Sequence, residues 1–179
     1  MKMSKTMLLD RPSAQPSRAI PHTMELTVLF QEFMAYWAGL KTEFLDWGTV
    51  QPSVKSVEYI VRWNGSVRGT LVVRSSERLL DKLMDRFGEM DKGFPNKTAL
   101  LQEMVTLYTV FLINSTWMDE YFNLGPILAR PCKPEDRPSM TESHVFCAIR
   151  VDQEPMEIRL WVDQPGDPYA NWAPQDIEP

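Results

Sequence analysis

Residues 56–73 read SVEYIVRWNGSVRGTLVV, and this stretch decides what kind of fold the chain can adopt. Val57, Tyr59, Val61 and Trp63 alternate with Ser56, Glu58, Ile60 and Arg62, the two-residue period of a strand with one face buried. Val67, Gly69, Leu71 and Val73 repeat the alternation beyond Asn64-Gly65. That dipeptide favours a two-residue type I′ turn, because both central positions need positive φ. An antiparallel hairpin is therefore expected. Two more alternating runs, His144 to Val151 and Met156 to Val162, are joined by DQEP (152–155) and read as a second hairpin.

Around these hairpins the period changes from two to about 3.6. From Thr23 to about Leu45 apolar residues recur at three and four, through Leu26, Phe30, Phe33 and Trp37. Thr23 is a candidate cap, and Gly39 weakens the last turn. Ser75 or Ser76 caps ERLLDKLMDRF, with Gly88 as its stop. Asn96 or Thr98 opens the longest helix, expected to reach about Phe122. PILARPC (126–132) reads as a proline-bounded strand and KPEDRPSMTE as an exposed loop. The order gives an α+β fold, a mainly antiparallel sheet packed against long helices.

Composition narrows the function classes. The 179 residues carry nineteen Lys and Arg against twenty-four Asp and Glu, a formal net charge of −5. Such a chain lacks the basic footprint of a nucleic-acid binder. No run reaches the roughly 18 apolar residues of a membrane span, and Met7-Leu8-Leu9 is too short for a signal-peptide core. A cytoplasmic protein is expected, with residues 1–22 as a flexible leader, 23–163 as the domain and 164–179 as a proline-rich tail. Tyr169 and Trp172 of that tail could dock onto the body or onto a partner. Cys132 and Cys147 lack zinc spacing and read as free thiols unless their strands are adjacent; His22 and His144 stand far apart, so no metal site is expected. Trp63, beside the turn, is either core or an exposed interface residue.

On the longest helix, Leu100, Leu101, Met104, Val105, Leu107, Tyr108, Phe111 and Leu112 fall within an arc of roughly 160° at 100° per residue. Gln102, Glu103, Thr106, Thr109 and Asn114 lie opposite, with Glu103 and Thr106 neighbours on one ribbon. Periodicity alone makes this a solvated face. The stretch from Met24 to about Asp163, however, resembles the CheC/CheX/FliY family of bacterial chemotaxis phosphatases, and looks most like its CheX branch. The matching pieces are the first helix, the link WGTVQPS (47–53), the Gly65–Gly69 segment of the hairpin, and TLVVRSSERLLDKLMDRF (70–87). The long helix with Glu103-Met-Val-Thr106, a proline-bearing strand with Pro131, and the closing hairpin complete the match.

The resemblance implies a domain that binds the phosphorylated receiver of a CheY-like response regulator and removes its aspartyl phosphate. It also implies a homodimer, no cofactor of its own, and Mg²⁺ on the receiver. The family signature is an acidic residue or serine, three residues, Glu, two residues, Asn. Here Glu103 keeps its place, while Ala99 and Thr106 stand at the flanking positions. Glu103 thus carries over as the contact to the receiver's active-site lysine, and Thr106 occupies the catalytic position without the amide. Gln102, Glu103, Thr106 and Thr109 are the expected partner-binding set. Three functions compete: a phosphatase, a weak or inactive receiver-binding adaptor, and a structural domain that keeps only the fold.

Overall fold

The computed structural model describes residues 21–45, 55–64, 68–90, 93–117, 127–138 and 144–163. Six strands form one sheet: β1 (Thr42–Phe44), β2 (Ser56–Trp63), β3 (Arg68–Ser76), β4 (Arg130–Pro131), β5 (Val145–Val151) and β6 (Glu154–Asp163). Their spatial order is β1-β5-β6-β3-β2-β4, with antiparallel pairing throughout. Both expected hairpins are present. Tyr59 lies opposite Val73, which lies opposite Ile158; Val61, Leu71 and Leu160 form the next row. These rows face the three helices, α1 (Thr23–Ala38), α2 (Glu77–Glu89) and α3 (Lys97–Thr116), and the shared core lies between.

The turns differ from the sequence reading. Trp63 pairs with Gly69 and β3 begins at Arg68, which leaves residues 64–67 to connect β2 and β3. A two-residue turn at 64–65 would pair Trp63 with Ser66 instead. The type I′ geometry belongs to the second hairpin, where Val151 pairs with Glu154 and Asp152 and Gln153 have φ of 46° and 66°. Gly65 itself lies outside the described residues. Trp63 is core, 3% exposed, and its ring lies over Gly69 and 6.4 Å from that of Trp117.

Three helix boundaries also move. α1 stops at Ala38, because Gly39 takes the left-handed conformation (φ 62°) and its N–H donates to Ala35 O at 3.1 Å. Arg86 of α2 completes this end, donating from Nε to Ala38 O at 2.7 Å. Residues 42–44, read as helix, form edge strand β1. At the front of α2, Ser76 is the cap, its Oγ accepting from the Leu79 N–H at 3.1 Å. Gly88 does not stop this helix, which runs to Glu89. α3 ends at Thr116, where buried Trp117 leaves helical geometry (φ −130°, ψ 34°); residues 118–126 lie outside the described residues. The proline-bounded strand shrinks to Arg130–Pro131 on the outer edge, and Pro134–Asp136 forms a 3₁₀ turn within the expected loop. Residues 164–179, with Tyr169 and Trp172, are likewise outside the described residues.

Gly69 offers a direct test of this packing. A Cβ there would overlap the Trp63 ring at Cζ2. Gly69→Ala is expected to destabilise the domain by about 1–3 kcal/mol, read as a lower urea midpoint with unchanged slope. An unchanged midpoint would show that Trp63 does not occupy this position.

Candidate functional site

α3 begins where Asn96 Oδ1 accepts the Ala99 N–H at 2.9 Å, which makes Asn96 rather than Thr98 its cap. The helix packs against α1, α2 and β2, so its buried face is broader than one apolar stripe. Thr109, expected on the open ribbon, is fully buried, as is Ile113. Leu107, expected in the core, is 40% exposed. The ribbon that meets solvent runs through Glu103, Leu107 and Asn114, with Val110 half-buried. This is the spacing of four, seven and eleven from Glu103 that a helix keeps on one face.

The expected site residues therefore separate. Glu103 is exposed and Gln102 half-buried, both on the accessible side. Thr109 cannot meet a partner; its hydroxyl lies in the core and donates to Val105 O at 2.7 Å. Thr106 is half-buried, and its hydroxyl is engaged twice. It donates to Gln102 O at 2.7 Å and accepts from the Ala129 N–H at 3.1 Å. Its only proton is thus held by the turn below it, and an oxygen lone pair holds the segment entering β4. Ala99, at the first signature position, brings no polar group. Asn114 shares the exposed ribbon but sits about 16 Å along the axis from Glu103.

The remaining candidates are structural. Cys147 is buried on β5, and burial pushes its thiol up to about 12, which removes it as a nucleophile. Cys132 follows β4 at the opposite edge of the sheet, so the two cysteines are free. The His144 ring stacks on Trp161 at 5.1 Å. Ser75 and Ser76 are buried, and Ser76 is committed to its cap and to Glu154 at 3.1 Å. Among the described residues no group of three or more His, Cys, Asp or Glu could hold a metal, and no helix is long and apolar enough to cross a membrane.

Solved structures with this architecture exist. CheX from Vibrio vulnificus superposes with a TM-score of 0.57, over 77% of this chain and 96% of that one, at 13% identity. The chain has the CheX fold. CheX from Desulfovibrio desulfuricans matches over 77% and 96% at 11% identity and a TM-score of 0.52. CheX in a CheX–CheY–BeF₃–Mg²⁺ complex from Borrelia burgdorferi matches over 80% and 99% at 12% identity and a TM-score of 0.54. No protein-family model and no curated protein matches the sequence. At these identities the likeness to CheX carries the architecture, and the residues of α3 must speak for themselves.

The Thr106 tether was the feature that periodicity missed, since its partner Ala129 lies 23 residues away. Its role has a measurable consequence. Thr106→Val leaves the buried Ala129 amide without an acceptor and is expected to cost about 1–3 kcal/mol, whereas Thr106→Ser keeps the hydroxyl and most of the stability. Hydrogen exchange at Ala129 should accelerate in the valine variant alone. Equal protection in all three proteins would mean that the hydroxyl does not hold this segment.

Proposed function

We propose that this domain recognises the phosphorylated receiver of a CheY-like response regulator through the exposed ribbon of α3, with Glu103 meeting the receiver's active-site lysine. The observation that carries the reading is an exposed Glu103 on the long helix of a CheX fold. The partner class is supported by the Borrelia burgdorferi relative, which is seen with CheY, BeF₃ and Mg²⁺. In this reading Mg²⁺ belongs to the receiver and the domain brings no cofactor. Gln102 flanks the contact, and Leu107 takes the place on the ribbon expected of Thr109. The homodimer and the cytoplasmic setting implied by the resemblance go with the same proposal.

The engagement of Thr106 favours recognition over hydrolysis. An acyl phosphate is already reactive, and the receiver supplies the metal and its own electrostatic stabilisation. A phosphatase partner contributes the positioning of water. An asparagine amide reaches out with two donors and an acceptor; a threonine hydroxyl is fixed on Cβ and has one proton. Here that proton is directed at Gln102 O. No donor remains at position 106 to orient a water, so slow or absent phosphate release follows.

Phosphate release from a phosphorylated receiver, with Mg²⁺, tests both halves of the proposal. The wild-type chain is expected to bind the phosphorylated receiver more tightly than the unphosphorylated one while accelerating release by less than about tenfold. Glu103→Ala should weaken binding by about tenfold, the size of a lost charge-assisted hydrogen bond. Thr106→Asn should speed release by about tenfold or more. Strong wild-type acceleration abolished by Glu103→Ala would instead make this an active phosphatase. Absence of binding to any receiver would sink the proposal altogether.

A further inference from the structure

The segment that enters β4 is held at several points, yet it sets a leucine in water. Ala129 is fully buried, and its N–H donates to Thr106 Oγ1 at 3.1 Å. Arg130 and Pro131 pair with Ile60 and Tyr59, and the Cys132 N–H donates to Glu58 O at 2.9 Å. Beyond them the Arg130 guanidinium meets both carboxylate oxygens of Asp136, at 2.6 and 2.7 Å, and Arg62 donates to Asp136 O at 2.7 Å. Leu128, the residue before Ala129, is 62% exposed. A lone exposed leucine needs no explanation. This one has a counterpart.

The counterpart is the exposed Leu107 of α3. On a helix Leu107 stands about 40° to one side of Glu103 and about 6 Å along the axis, while Thr106 stands about 60° to the other side. Because Thr106 ties down Ala129, the segment entering β4 runs along that second side. Glu103 is therefore flanked by one exposed leucine on each side. Half-buried Val110 continues the apolar surface between them.

Between these leucines Glu103 carries an uncompensated charge. Among the described residues no hydrogen bond or ion pair engages its carboxylate. Residues 98–116 of α3 include no Lys or Arg, and Lys97 is committed to Asp81. A carboxylate with no cation of its own, set between apolar side chains, suits a single cation from outside whose surroundings are also apolar. Closing leucines around such a pair expels water, and the attraction strengthens as the local dielectric falls. Central contacts in protein interfaces gain their strength in this way, from neighbours that chiefly exclude water.

We propose that Leu107 and Leu128 form a water-excluding collar around the Glu103 contact and select a receiver surface whose lysine lies among apolar side chains. The inference rests on the recognition reading of α3 and adds to it a contact from outside that helix, Leu128. A receiver with a second charged group opposite Leu128 is refused, because the collar offers that charge no partner. Thr106 becomes a positioning residue for the docking surface, since its hydroxyl holds the backbone that presents Leu128.

Binding of the full chain to a CheY receiver held in its phosphoryl-like form by BeF₃ and Mg²⁺ tests the collar. Leu128→Ser is expected to weaken binding about fivefold or more, with an unchanged urea midpoint because the side chain lies in water. In the Glu103→Ala background the same substitution should cost less than about twofold, since the collar acts on that contact. Thr106→Val should weaken binding as Leu128→Ser does, and Thr106→Ser should not. Equal affinity of wild type and Leu128→Ser, with binding that still depends on Glu103, would overturn the collar and leave the recognition reading standing. An undiminished loss in the Glu103→Ala background would also overturn it, by making Leu128 an independent contact. No binding, or binding indifferent to Glu103→Ala, would remove the recognition reading and the collar with it.

Discussion

The position of α3 depends on Tyr108. Its ring is fully buried, meets Phe30 edge-on at 4.7 Å and lies 5.4 Å from Phe33. Phe33 in turn stacks on Trp37 at 5.7 Å, and Trp37 reaches Phe87 of α2 at 4.7 Å. This run of aromatic contacts joins all three helices through large, stiff side chains, each worth several tenths of a kcal/mol beyond its area. Burial holds the Tyr108 phenol well above its ordinary pKa, so the group stays neutral where it packs. Fixing α3 on several sides decides which of its residues face solvent, and the site inherits that decision.

Much of the sheet could be read from the period of two. The rows Tyr59–Val73–Ile158 and Val61–Leu71–Leu160 are the alternating residues identified in the sequence. The same alternation also held the information needed to reject the two-residue turn. Residues directly opposite in an antiparallel pair share a face, so Val61 and Leu71 can both be core only if their register sum is even. A turn confined to Asn64-Gly65 makes that sum odd and would turn one whole face outward. The dipeptide is a local preference worth little against the burial of a strand face, and Asp152-Gln153 adopts the tight turn without any glycine.

The helix period was less informative where a helix touches several neighbours. On α3, Thr109 looked polar and Leu107 apolar, yet Thr109 is buried and Leu107 exposed. A threonine enters a core at small cost when its hydroxyl returns to the carbonyl one turn back, as Thr109 does to Val105. Gly39 was visible as a weak point, but weakening became termination where its φ of 62° leaves the helix and Arg86, 47 residues on, donates to the carbonyls of Ala38 and Gly39. Glu103 remained legible because a glutamate on the helix's open side needs no distant partner to explain its exposure. Thr106 did not, since its surroundings are set by a segment from another part of the chain.

Position 106 then separates two tasks that a docking helix can perform. Recognition of a cationic partner group needs a carboxylate that is reachable and free to be desolvated on contact, and Glu103 meets that condition without help from its neighbours. Hydrolysis needs a donor held at a fixed point in front of the scissile bond, which is a demand on geometry and on available protons together. A threonine whose proton is directed back into its own helix, and whose oxygen anchors the strand-entry segment at Ala129, fails both demands while improving the scaffold. An amide in place of the hydroxyl restores a free donor at this position, provided that it also takes over the contact to the scaffold. The new side chain must also keep an acceptor for the Ala129 N–H, and an asparagine can do so only by giving its oxygen to that amide while its NH₂ points outward. The two roles compete for one short side chain, and in this protein the structural role holds it.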